Sequence, residues 1–273
     1  MKRYTWGTGI LQAVMIVVAA IFLFPLYIMI NTALKERGDR SSPLIPTTSP
    51  VWSNFATAWE EANLGPALLS SIFVTVTTIV ILVAIGSLAA YPLARITARW
   101  SPIVYYGLMS GLLLPSLLAL IPLYTTFRDL GLLANPLALV ILYAGGQASF
   151  TIFLYTEFLR AIPRDYDEAA SIDGAGRWST FLHVILPLLQ PVTGTVVILN
   201  ALFIWNDFFA PLLYLSGSGT QTLPVALFSF TGTYEVDWTL LFSALILGSL
   251  PMLIAFLVMQ KAVFRGYASG LKG

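Results

Sequence analysis

Apolar residues run along this chain in long blocks, with polar residues gathered in the stretches between. Six blocks stand out, centred on 10–31, 68–93, 102–124, 137–158, 185–212 and 239–260. About 20 apolar residues in a helix cross a hydrocarbon layer of ~30 Å, so each block predicts one spanning helix. A backbone in lipid must satisfy its own hydrogen bonds, which leaves helices or a closed barrel. Barrel strands alternate apolar and polar positions, and these blocks do not. The prediction is an all-α integral membrane protein with six transmembrane helices. The fifth block allows two shapes, because WNDFF (205–209) puts Asp207 inside it and Pro211 follows. It reads as one long bent helix, or as a helix and a re-entrant piece ending at SGSGT (216–220).

Composition agrees with a lipid-facing protein. The 273 residues are 58% hydrophobic and 10% charged, where a soluble domain carries about a quarter charged. The basic start, Lys2 and Arg3, resembles a signal peptide. The charge-free run that follows, Tyr4 to Leu34, is 31 residues long, too long for an h-region of about 7 to 15. It is expected to be a membrane span. The net charge of +1 gives no nucleic-acid footprint. With no cysteine and one histidine, His183, neither thiolate chemistry nor a histidine-built metal site is expected.

Lys and Arg set the expected orientation. With the N-terminus cytoplasmic, ten of them fall inside: Lys2, Arg3, Arg95, Arg99, Arg160, Arg164, Arg177, Lys261, Arg265 and Lys272. Four fall outside: Lys35, Arg37, Arg40 and Arg128. This excess predicts both termini inside and segment 160–184 in the cytoplasm. The outer loop 35–67 carries Trp52 and Trp59, suited to the membrane surface. No internal repeat is visible, which weighs against a secondary transporter built from two related halves.

The polar segment 160–184 interrupts the apolar pattern. Pro163 ends the preceding helix. Asp165, with Glu168 three residues on, resembles a capping box that starts a helix of about two turns over DYDEAASID. Gly174 and Gly176 then allow a sharp turn. RWSTFLHVIL restarts as helix with Trp178, Phe181 and Ile185 on one face. Pro187 and Pro191 bend the entry into the membrane. The result is a helix–turn–helix elbow, and by local physics alone it reads equally well as an ordinary capped loop.

Its residues also carry a resemblance. Glu168, Ala169, Ala170, Asp173, Gly174, Ala175, Phe181, Leu186, Pro187 and Pro191 resemble the signature loop of ATP-binding-cassette (ABC) importer permeases. FPLYIMINTALK (24–35), AAYPLAR (89–95), IPLY (121–124), WNDFFAPLL (205–213) and FRGYASGLKG (264–273) are similar to its carbohydrate-uptake branch, in particular the shorter, six-span subunit of maltose permeases. The resemblance implies a type I importer permease fold forming a single permease domain over 1–273, with the elbow as a coupling helix within it. It implies Glu168 as the polar contact to a cytoplasmic ATPase dimer, small Ala169 and Ala170 for close approach, and Gly174 for the turn. It further implies a second permease, an extracytoplasmic solute-binding protein, and residence in a bacterial or archaeal cytoplasmic membrane. ATP and Mg would belong to the ATPase: this chain has no G-x-x-x-x-G-K-[ST] phosphate loop and is expected to bind no cofactor.

Asp207 is the one acidic residue deep in an apolar block, a costly placement that suggests function. With Asn200, Trp205 and Asn206 it forms the candidate set for the solute pathway. The alternative is that Asp207 lies near the outer interface, or bonds another helix to fix the subunit contact. Gly107 and Gly111 form G-x-x-x-G, read as tight packing. Gly145, Gly146 and Gln147 suit either a cavity lining or packing. Arg265 and Lys272 suit either the ATPase or lipid headgroups. A channel would show filter-like rings, and an enzyme a cluster of acid, base or nucleophile. Neither is visible, so a transport subunit leads.

Overall fold

The structure, a computed structural model, describes residues 6–113, 116–231 and 236–270. The described elements are helical: α1 Trp6–Ala33, α2 Ser53–Glu61, α3 Leu64–Arg95, α4 Trp100–Ser110, α5 Ser116–Asp129, α6 Pro136–Ala161 and α7 Asp165–Ile172. They continue as α8 Arg177–Thr180, α9 Leu186–Leu188, α10 Gln190–Asn206, α11 Phe209–Tyr214, α12 Leu223–Leu227 and α13 Trp238–Gly270. A π-helical turn, Phe181–Ile185, joins α8 to α9.

Four of the six expected spans are uninterrupted: α1, α3, α6 and Trp238–Val258 of α13. Prolines inside α1 (Pro25), α3 (Pro92) and α13 (Pro251) do not end those helices. The third block was expected as one helix over 102–124, and the structure corrects this. The helix tightens into a 3₁₀ turn at Gly111–Leu113, and α5 begins beyond residues 114–115. Ser110 Oγ bonds back to Gly107 O at 2.7 Å, just where a Ser-Gly pair weakens the helical ladder. The fifth block takes the two-piece shape. Its helix starts at Gln190 after a 71° bend and ends at Asn206, and α11 follows as a separate piece. The bend falls at Leu189, between Pro187 and Pro191, as those prolines predict.

Contacts divide the chain into two units. The first comprises residues 1–65 and 226–250. Side-chain amides close the end of α1, whose last carbonyls lack helical partners. Asn54 Nδ2 donates to Ala33 O (2.9 Å) and Lys35 O (2.8 Å). Asn31 Nδ2 donates to Pro43 O and Ile45 O, both at 2.8 Å, and its Oδ1 accepts from Thr47 N. These bonds pin the long loop after α1. Arg37 bridges Glu61 (3.0 Å) and Asp237 (2.9 Å), tying α2 to the residue before α13. From Ala13 to Leu26 α1 is apolar and exposed, as a lipid-facing span would be.

The second unit comprises 66–225 and 251–273. Here α3 meets α6 at Gly86, where an added Cβ would lie 2.5 Å from Thr151 Cγ2 and 3.2 Å from the Tyr155 ring. Only a residue without a side chain permits that approach. One core cluster joins Ala90, Tyr155, Leu159, Phe181, Ile185 and Leu189, so α3, α6 and the second arm of the elbow share a core. Another joins Val74, Phe127, Leu139, Tyr143, Ile204 and Tyr214. The expected G-x-x-x-G packing holds at one position only: Gly111 faces Ser149, and nothing lies within 4 Å of a Cβ at Gly107, Gly145 or Gly146.

Candidate coupling elbow and pathway residues

The elbow begins after Pro163, which ends α6's run. The capping box expected at Asp165 is absent. Arg164 occupies the N-cap in a helical conformation with no side-chain cap bond, and Asp165 is the first residue of α7. The acids are not wasted there, because Asp165, Asp167 and Glu168 fill the first turn beside the positive end of the helix dipole. The C-terminus follows sequence expectation closely. Gly174 has φ +79°. Its N–H bonds Ser171 O at 3.1 Å, and Ala175 N–H bonds Ala170 O at 2.9 Å. This pair of bonds is a Schellman motif, satisfying carbonyls that the helix end would leave bare.

The second arm differs from expectation. Phe181 and Ile185 are buried, but Trp178 is exposed and merely stacks on Phe181 with centroids 5.8 Å apart. The π turn at Phe181–Ile185 adds a residue to the helical repeat, so an i, i+3, i+7 face cannot persist through it.

Asp167 has partners that local sequence does not indicate. Its Oδ1 accepts from Tyr91 Oη at 2.8 Å. Its Oδ2 lies 2.9 Å from Arg95 Nε, an ion pair with both side chains at least four-fifths buried. Arg95 Nη1 also donates to Ile162 O at 3.0 Å. Thus the last turn of α3 grips both the start of α7 and the chain leading into it.

Of the predicted coupling residues, Glu168, Ala169, Asp173 and Gly174 are exposed along α7 and its turn, Ala170 is buried, and Ala175 is half-buried. An open groove of about 510 Å³ lies beside them, lined by Tyr166, Ala169, Ala170, Asp173 and Val184 among others. Leu186 packs partly into the core below, and Pro187 is exposed at the start of α9. The first six thus lie on α7 and the turn that closes it, and Leu186 and Pro187 lie on the second arm.

The four pathway candidates differ in burial and in their partners. Asn200 is buried, with Nδ2 bonded to Thr151 Oγ1 (3.2 Å) and Val196 O (2.9 Å). Trp205 is buried, and Asn206 is exposed and bonds its own helix at Leu202 O. Asp207 terminates α10 in an extended conformation; its Oδ2 accepts from Tyr143 Oη at 2.7 Å and its Oδ1 from Phe209 N at 3.0 Å. Within this chain the bond from Tyr143 joins α6 to the break after α10. His183 Nδ1 lies 3.1 Å from Ser179 O. Among the described residues no group of His, Asp and Glu is placed to hold a metal.

Long apolar helices joined by a short, polar, sharply turned elbow give the architecture of a multi-pass membrane protein. The chain belongs to the family described as "binding-protein-dependent transport system inner membrane component", whose model matches residues 83–269. It is 36% identical over 255 residues to the melibiose/raffinose/stachyose import permease protein of Bacillus subtilis, covering 93% of this chain and 92% of that one. It is 31% identical over 265 residues to a diacetylchitobiose uptake system permease protein of Streptomyces coelicolor, covering 96% and 88%. Its fold is similar to a chain in the crystal structure of a bacterial ABC transporter that imports the acidic polysaccharide alginate, with TM-score 0.82, 22% identity and coverage of 96% and 99%. The relatives' names are those of transport permeases, and this chain too is a transport subunit, not an enzyme.

Proposed function

We propose that this chain, as a single permease domain over 1–273, is one of two permease subunits of an ATP-driven importer of oligosaccharides in a bacterial or archaeal cytoplasmic membrane. The elbow and both termini face the cytoplasm. An ATPase dimer, binding ATP and Mg, docks on Glu168, Ala169, Ala170, Asp173, Gly174 and Ala175, with Leu186 and Pro187 bracing the second arm. A solute-binding protein delivers cargo to the other side. The observation that carries this reading is the elbow itself: a two-turn helix closed by a left-handed glycine and clamped at its base, in a chain with no phosphate loop of its own. A short rigid element on packed helices passes on a push that a mobile loop would absorb.

The cargo class rests on the relatives. One imports melibiose, raffinose and stachyose, another takes up diacetylchitobiose, and a third is a probable transporter of starch degradation products. One of the solved neighbours is in complex with a periplasmic protein holding an alginate pentasaccharide. Short glycans are their common chemistry.

The test is purification of the tagged chain from its native membrane in mild detergent. A P-loop ATPase and a second permease should accompany it, and the ATPase should be lost from Gly174→Leu while the chain still inserts. A chain that purifies alone and carries solute down a gradient without ATP would refute the importer reading.

A further inference from the structure

Covalently, the elbow is joined to two membrane helices, α6 before it and α10 after it. The structure holds a third connection. Tyr91 and Arg95, on the last turn of α3, lie 76 and 72 positions before Asp167 in the chain and engage both of its carboxylate oxygens. Arg95 also donates to Ile162 O at 3.0 Å in the strand of chain that enters α7. The Tyr91 ring packs against Phe181 with centroids 5.6 Å apart. The end of α3 therefore touches the first arm of the elbow, the chain leading into it, and the second arm. Further up α3, Gly86 sits against Thr151 and Tyr155 of α6 with no room for a side chain. Because the Arg95–Asp167 pair is largely withdrawn from water, solvent screens it far less than a surface ion pair.

We propose that Tyr91 and Arg95 are positioning residues that lock α3 to the coupling helix through Asp167, so that a displacement of the elbow moves α3 with it. The proposal rests on the reading of the elbow as the ATPase's docking site. It assigns α3 a driven role, where chain connectivity alone would give the motion only to α6 and α10. Packed elements joined this way move as rigid bodies and do not deform continuously.

The absence of cysteine makes a two-label test clean. Ser171 on α7 and Ile85 on α3 are both exposed. Each is replaced by a spin-labelled cysteine in the purified complex with its co-purifying ATPase. Their separation is measured by pulsed electron paramagnetic resonance, with no nucleotide and after trapping with ATP, Mg and vanadate. With the lock intact, trapping should leave the separation unchanged. In Asp167→Asn it should move by about 1–2 Å, the scale of helix shifts in switching assemblies. Asp167→Asn is isosteric, and equal recovery of the ATPase with it separates loss of the lock from loss of docking. Tyr91→Phe, which keeps the ion pair, should give a smaller shift. A separation that changes on trapping in the unaltered pair, or stays fixed in Asp167→Asn with the ATPase bound, overturns the lock alone. Absence of any co-purifying ATPase from the unaltered chain overturns the docking reading, and the lock falls with it.

Discussion

At the scale of single residues, Gly174 matters through its backbone. Nothing lies within 4 Å of a Cβ built there, yet φ is +79°. A side chain would meet no obstacle and would still strain the turn, by about 1–2 kcal/mol for an ordinary L-residue. Asparagine visits this conformation more readily. Gly174→Asn should therefore keep the ATPase bound through purification, while Gly174→Val and Gly174→Leu lose most of it. Equal retention by all three would remove the turn from the mechanism. Asp207 is a second residue-scale case. Its carboxylate is engaged by Tyr143 and by Phe209 N. Asp207→Asn should leave solute affinity unchanged in a transport assay and lower stability. A large loss of affinity with intact stability would make Asp207 a solute contact instead.

At the scale of elements, α3 packs on α6 at Gly86 with no room for a Cβ, and Gly107 provides an internal control. A methyl at 86 meets Thr151 Cγ2 at 2.5 Å, whereas one at 107 meets nothing in this chain. Overpacking of that kind costs typically about 1–3 kcal/mol. Gly86→Ala should lower the thermal midpoint in detergent, with Gly107→Ala unchanged. The Tyr143–Asp207 bond links α6 to the end of α10. A double-mutant cycle of Tyr143→Phe with Asp207→Asn should return a coupling of roughly 0.6 kcal/mol, the average for such bonds between membrane helices. A coupling of zero would mean the two groups are each satisfied independently.

For the whole molecule, the charge distribution makes a prediction that does not depend on cargo. Single cysteines at Ser49 in the loop after α1 and at Ser179 in the elbow lie on opposite sides of the proposed topology. In intact cells a membrane-impermeant maleimide should label position 49 and spare position 179 until the membrane is opened. The reverse pattern would invert the orientation. The cargo class is tested by uptake of raffinose and of a chitin or starch disaccharide in a strain lacking the chain. Restoration of none of them by the chain and its neighbouring subunits would count against an oligosaccharide importer.

The sequence by itself determined the helical class, the six apolar blocks, the glycine turn after α7 and the proline-flanked bend before α10. Each of these depends on a neighbourhood of a few residues: continuous hydrophobicity, a missing Cβ, a missing N–H. The family resemblance, too, was legible in the spacing from Glu168 to Pro191. What only the tertiary structure decided are pairings across distance. Asp167 reads in sequence as a first-turn acid, and Arg95 as a charge that orients the protein. Their contact leaves no local pattern, because 72 positions separate them. The same holds for Tyr143 with Asp207 and for Gly86 against Thr151. The missing capping box at Asp165 and the exposed Trp178 have the complementary cause. There a local rule was available and the fold did not follow it: Arg164 takes the N-cap of α7, and the π turn at Phe181–Ile185 breaks the face that Trp178 was expected to share.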